Sequence, residues 1–191
     1  NISYLIKECL PVSATFGLTS LILTYLVCIP LGIFKAIKNG SKFDLLSSII
    51  VFIGYSIPGY ILGSMLIIWI GGDGSTWPIA GFQSNHYDTL TFFNKIIDRI
   101  RHFLLPGLCY IVGGFAWMTL LMKNSLLENL SQDYVRTAFA KGLSEKRVIF
   151  FHAVRNSLIP LATGIGGMIS VFLAGSYLIE TTFEIKGLGL L

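Results

Sequence analysis

The sequence predicts an all-α integral membrane protein, a polytopic helix bundle, on three observations. Of its 191 residues 53% are hydrophobic and only 13% charged, and the mean hydropathy of +0.72 is well above that of an ordinary soluble domain. Three uncharged runs, Val12 to Phe34, Leu45 to Ile70 and Ser157 to Ile179, are long enough to cross about 30 Å of hydrocarbon, and a fourth, Phe103 to Met122, is just long enough. One Asp or Lys at a helix centre costs about 2.5 to 3.5 kcal/mol on the insertion scale, so four runs free of charge are not accidental. Finally, nine of the 14 Lys and Arg fall in the two loops after the first and third runs. The positive-inside rule puts both loops in the cytosol.

Taken in order, the first run, 12–34, is followed by a short loop carrying Lys35, Lys38 and Lys42. The second run, 45–70, carries Pro58, as the others carry Pro30, Pro106 and Pro160. A proline inside a helix removes a hydrogen bond and bends the axis, which neighbouring helices or water can make good. Bent spans suit a translocation path, and Tyr55, Ser56 and Gly59 beside Pro58 are the polar or small candidates to line one. Gly59 with Gly63, and Ser170 with Ala174, also stand four apart, the spacing that lets helices approach closely.

The outer loop, 71–102, joins a turn-rich stretch, GGDGSTWPIAG, to FFNKIIDRIRHF, whose apolar residues recur at helical spacing. This predicts an interfacial helix with Phe92, Phe93, Ile96, Ile97 and Ile100 on its apolar face, serving as a strut or a lid, with Trp77 and Tyr87 as further anchors. The third run, 103–122, leads into the long basic loop 123–156. There DYVRTAFAKGLSEKR reads as helix, sharp break, helix. Ser131 offers a cap, Asp133 complements the first turn, Gly142 provides a left-handed stop, and Ser144 with Glu145 offers a second start. Such a shape suits docking to a cytosolic partner, and an amphipathic helix on anionic lipid is the competing reading. At the outer end of the last run, Glu180 and Glu184 read as a solvated helix end or a contact for an extracytoplasmic partner. Arg155 and Asn156 read as boundary anchors or as groups bonding the break near Gly142.

Several chemistries lack their residues. There is no GxxxxGK[ST] phosphate loop, no HExxH, no GxSxG elbow and no ionisable group at the centre of a run, which counts against ATP binding by this chain, a zinc site, a hydrolase and an ion-coupled path. No catalytic or metal-ligating set is assigned, and an ion-coupled carrier and a membrane enzyme are the rival classes. Basic residues do not interleave with aromatics, so nucleic acid is not an expected partner. Cys9, Cys28 and Cys109 form no close pattern and read as structural. Starting at Asn1 and stopping in GLGLL with no visible signal peptide, the sequence reads as a fragment lacking its terminal spans.

The loop residues YVRTAFAKGL at Tyr134 to Leu143, followed by HAVRNSLIP at His152 to Pro160, resemble the inner-membrane permeases of ATP-binding-cassette importers, in their oligopeptide and dipeptide branch. LPVSATFGLTSLILTYLVCIPLGI at Leu10 to Ile33, KNGSKFD at Lys38 to Asp44, GGFAWMTLLMKNSLLE at Gly113 to Glu128 and LIETTFEIKGLGLL at Leu178 to Leu191 extend the resemblance, most closely to the Yej-type peptide permeases. Ala138 and Gly142 match the second alanine and the glycine of the wider family's EAA-x-x-x-G signature, while Arg136 and Thr137 replace its Glu and first Ala.

The resemblance implies the type I importer permease fold in a single transmembrane domain, 1–191, in a bacterial inner membrane. It implies a coupling helix at 131–142 that uses Tyr134, Val135, Arg136, Thr137, Ala138, Ala140, Lys141, Gly142 and Leu143 to engage an ATPase. Tyr134, Val135 and Ala138 are expected to enter the ATPase groove, with Arg136 and Lys141 on its rim, and Ala138 is expected to be small so that the helix can seat. Implied partners are a second permease subunit, ATPase subunits or a fused ATPase, an extracytoplasmic peptide-binding protein and membrane lipid. ATP and Mg would sit on the ATPase, leaving no cofactor in this chain. Peptides or peptide-like compounds are the expected cargo, with nickel or another small solute as the nearer alternative.

Overall fold

The structure is a computed structural model that describes residues 2–71 and 76–191, with the side chains of 170–174 outside the description. The spacing reading for Ser170 and Ala174, and part of the turn-rich stretch, therefore lie outside the described residues. Among the described residues all regular structure is helical. Among the described residues three helical stretches, Ile2–Ile37, Phe92–Leu130 and Glu145–Ile169, are long and apolar enough to cross a membrane, or four if the bent pair in the second run counts as one span, so the last of them starts earlier than the expected run 157–179.

Helix α1 runs over Ile2–Ile37 and passes Pro30 without a break. The second run is divided into α2, Lys42–Ser56, and α3, Gly59–Ile70, with Pro58 as the residue before α3. The bend expected at Pro58 is found there, as a short break between the two helices. Proline disfavours the helical conformation in the residue before it and lacks the N–H that would continue the ladder. The third run belongs to α4, Phe92–Leu130, a helix of 39 residues and about 58 Å at roughly 1.5 Å per residue. Residues 92–102 do not form the separate interfacial helix expected of them. Phe92 to His102 is the first part of α4, because nothing between 92 and 106 interrupts helical hydrogen bonding and Pro106 is absorbed inside it. Next come α5, Asp133–Ala140, α6, Glu145–Arg147, a π-helical turn over Val148–Ala153, and α7, Val154–Ser157. The last run starts with α8, Ile159–Ala174, and ends in a further short helix, α9, Tyr177–Thr182.

Contacts gather the chain into two compact units. Unit 1 takes residues 1–23, 56–113 and 168–191. Its core contains Phe16, Leu105, Cys109, Tyr110, Ile179, Phe183 and Ile185. The Phe16 ring stacks on Phe103 with centroids 5.4 Å apart and lies 6.2 Å from Tyr110. A side chain at Gly59 would stand 2.7 Å from the Cys109 carbonyl oxygen, and one at Gly63 would stand 2.8 Å from the Phe183 ring, so this pair lets α3 pack closely on α4 and on the segment after α9. The segment before α4 folds back over its first turns. Asp98 accepts hydrogen bonds from the Ser84 backbone N–H, at 3.0 Å, and from the Ser84 hydroxyl, while the Arg99 guanidinium lies 3.7 Å from the Phe82 ring centre.

Unit 2 takes residues 24–55 and 114–167. Cys28, Met118, Met122, Leu126, Val135, Val148, Ala153 and Leu161 form its core. Tyr25 Oη donates to the Leu161 carbonyl at 2.9 Å. Ser125 and Ser157 each donate a hydroxyl to the other's carbonyl, at 3.1 and 3.3 Å, fastening α4 to α7. At the basic end, Asp44 sits between two lysines. Its carboxylate lies 3.1 Å from Lys35 Nζ and 2.8 Å from Lys123 Nζ, so the loop after α1 and the end of α4 meet at one end of this unit.

Candidate functional site

The loop between α4 and α8 holds the best-formed candidate surface. Helix α5 starts after Gln132, whose extended backbone (φ −75°, ψ 152°) makes it the residue flanking the first turn. Ser131, expected to cap, instead donates its hydroxyl to the Glu128 carbonyl at 2.7 Å and closes the end of α4. The reason is register: α4 extends to Leu130, which leaves Ser131 on the wrong side of the break. Asp133 keeps its place in the first turn.

The far end of α5 is closed by a Schellman arrangement. Gly142, at φ +78°, donates its N–H to the Phe139 carbonyl at 2.9 Å, and Leu143 donates to the Ala138 carbonyl at 3.4 Å. A glycine adopts this left-handed conformation without a Cβ penalty. Ser144 then flanks α6, and the chain returns through the π-helical turn, on which α5 packs.

That packing corrects the expected docking face. Val135 is 1% exposed and Ala138 5%, both turned into unit 2, so neither is presented to a partner. They stand three apart, hence on one face of α5. Ala138 is small because its own chain fills the space beyond it. The outward face carries Tyr134, Arg136, Thr137, Phe139, Ala140 and Lys141, with Gly142 exposed and Leu143 half-buried. Phe139 was not among the sequence candidates, because five residues from Tyr134 is about 140° around a helix and outside the spacings that mark a shared face. Tyr134 Oη donates to Asn129 Oδ1 at 2.6 Å, which ties the outer face to α4. The Arg136 to Asp133 pair, at 3.4 Å, is largely solvated and leaves the guanidinium available. Beside Tyr134 a cavity of about 420 Å³ opens between Glu128, Asn129, Gln132 and Asn156. Asn156 thus lines this cavity, and Arg155 is exposed.

The residues proposed to line a path fall differently. Tyr55 is 57% exposed at the end of α2, and Ser56 is exposed beside it. Gly59 has α4 backbone against its free side, a packing position.

Glu180 overturns its solvated-end reading. It is 1% exposed. Ser13 Oγ donates to its Oε1 at 3.1 Å and Tyr110 Oη at 3.5 Å, while those hydroxyls accept N–H bonds from Leu188 at 2.8 Å and Ser176 at 3.1 Å. Gly187 packs its backbone against the same carboxylate, so the carboxylate is a buried post for the turns on both sides of α9. Glu184, by contrast, stays exposed at φ +51°.

The class of this polytopic helix bundle, an inner-membrane component of a transport system, is given by its family. The chain belongs to the family of binding-protein-dependent transport system inner membrane components, whose pattern matches residues 28–191. It is a multi-pass inner-membrane protein with the type I permease fold of that family. It is 45% identical over 190 residues to the inner membrane ABC transporter permease protein YejB of Escherichia coli O157:H7, covering 98% of this chain and 52% of that protein. It is 44% identical over 188 residues to the peptidoglycan transport system permease protein YejB of Agrobacterium fabrum, covering 97% and 52%. With the oligopeptide transport system permease protein AppB of Bacillus subtilis it shares 37% identity over 188 residues, covering 98% and 58%. The chain spans about half the length of the curated relatives it matches.

Proposed function

We propose that this chain forms part of a permease subunit that moves peptides or peptide-like compounds inward, driven by ATP hydrolysed on separate ATPase subunits. The outward face of α5 carries the reading. A helix of eight residues is too short to be stable alone, so its attachment through Val135 and Ala138 supplies a rigid platform for Tyr134, Arg136, Phe139 and Lys141. Aromatic and arginine side chains on such a platform are what protein interfaces use as anchors. The partners are a second permease subunit, two ATPase domains carrying ATP and Mg, and an extracytoplasmic binding protein. The peptide cargo follows the name of the oligopeptide transport relative, and the Agrobacterium relative's name extends the class to peptidoglycan transport.

The test is uptake by the full-length protein, assembled with its partner subunits in proteoliposomes. Peptide accumulation that needs ATP and the binding protein, and survives a protonophore, is the expected result. Accumulation without the ATPase that collapses with the proton gradient would instead make this an ion-coupled carrier. Uptake of nickel with indifference to peptide would move the cargo to the small solutes.

A further inference from the structure

The ionic cluster in unit 2 does more than the topology rule asks of it. Lys35 is fully buried in the last turn of α1, and its ammonium donates to the Asp44 carbonyl at 2.9 Å, Ser47 Oγ at 2.9 Å and Ser48 Oγ at 2.6 Å, besides its contact with the Asp44 carboxylate. Asp44 lies in the first turn of α2 and also accepts the Gly40 N–H at 3.1 Å and both bonds from Lys123, at 2.9 and 2.8 Å. One carboxylate therefore joins three helices, with two cations to one anion. Such a cluster is a poor device for stability alone, because well-packed apolar residues of similar volume serve as well or better. What such dehydrated, directional bonds can add is a fixed register between the helices they join.

Lys123 stands about two turns before the end of α4, and α5 begins just beyond that end. The return strand of the loop is tied to the same stretch of α4 by the reciprocal Ser125 and Ser157 bonds. Any displacement of α5 thus arrives at α4 from both roots of the loop, and at Asp44 it meets α1 and α2.

We infer that Asp44, with Lys35 and Lys123, is the pin through which movement of the α5 loop carries α1 and α2 with it, a positioning role that rests on reading α5 as the ATPase docking helix. Asp44→Asn alone would leave Lys35 buried without a counter-charge and could simply unfold, so the informative variant replaces the whole cluster: Lys35→Met, Asp44→Leu and Lys123→Met together. The complete transporter, built on the full-length chain, is assayed for peptide taken up per ATP hydrolysed, alongside assembly and thermal midpoint. The expected result is a triple variant that assembles, hydrolyses ATP and moves about tenfold fewer peptides per ATP. Asp44→Glu, which keeps a carboxylate between the two ammonium groups, retains a stoichiometry well above that of the triple variant. Wild-type stoichiometry in the triple variant would overturn the pin, and so would loss of assembly, which would mean that the cluster serves folding. A wild-type transporter with no ATP-dependent uptake would overturn the functional reading itself, and the pin with it.

Discussion

At φ +78°, Gly142 allows two N–H groups to return to the last turn of α5, and a β-branched residue there would face strain of about 1–3 kcal/mol. Gly142→Val is therefore expected to lower peptide uptake at least about tenfold while the chain still reaches the membrane, measured as uptake per amount of inserted protein. Two neighbours separate packing from docking. Ala138→Phe overpacks a filled site and should cost about 1–3 kcal/mol, lowering the thermal midpoint of the purified protein. Arg136→Ala should leave that midpoint unchanged, within about 0.5 kcal/mol, and weaken ATPase binding in a pull-down or titration. The glycine stop was legible because one residue type and its flanks carry the signal. Which face of α5 points inward was not, since an amphipathic octapeptide with Val and Ala on one side fits its own chain and a foreign groove equally well. Only the packing of α5 on the π-helical turn decides it.

Among the elements, the bend at Pro58 was legible and the post beneath α9 was not. Pro58 marks the bend between α2 and α3, while Gly59, read as a path candidate, starts α3 against the Cys109 carbonyl. Gly59→Leu should force α3 off α4 and destabilise the protein by more than about 3 kcal/mol, and a lost or strongly lowered unfolding transition is the readout. A carboxylate two residues from a helix end reads as solvated, and neither hydropathy nor spacing reveals that Ser13, some 167 residues away in the chain, supplies a hydroxyl to Glu180. Glu180→Ala would strand the Ser13 and Tyr110 hydroxyls and should cost about 1–3 kcal/mol, whereas Glu184→Ala, at an exposed position, should not shift the midpoint. The join of residues 92–102 to the third span was also hidden. A charged, half-apolar helix looks the same whether it lies at an interface or runs straight on.

For the molecule as a whole, hydropathy and the distribution of lysine and arginine were enough to give a polytopic bundle, and the loop motif was enough to give its family. The ionic cluster escaped because Lys35 and Lys123 were counted as loop charges, while Asp44 lies at the margin of an apolar run. Unit 2 holds α5, proposed to dock the ATPase, the cavity beside Tyr134 and the proposed Asp44 pin, so the features that would answer an ATPase lie in one compact body. The most direct test of that account is disulfide trapping in the full-length transporter with Cys9, Cys28 and Cys109 replaced and cysteines placed one at a time along the candidate ATPase groove. Arg136→Cys and Phe139→Cys should crosslink to groove positions in a pattern that changes with ATP, while Val135→Cys and Ala138→Cys, turned into unit 2, should not. Crosslinks only from the buried pair, or none from any position in an assembled complex, would contradict it.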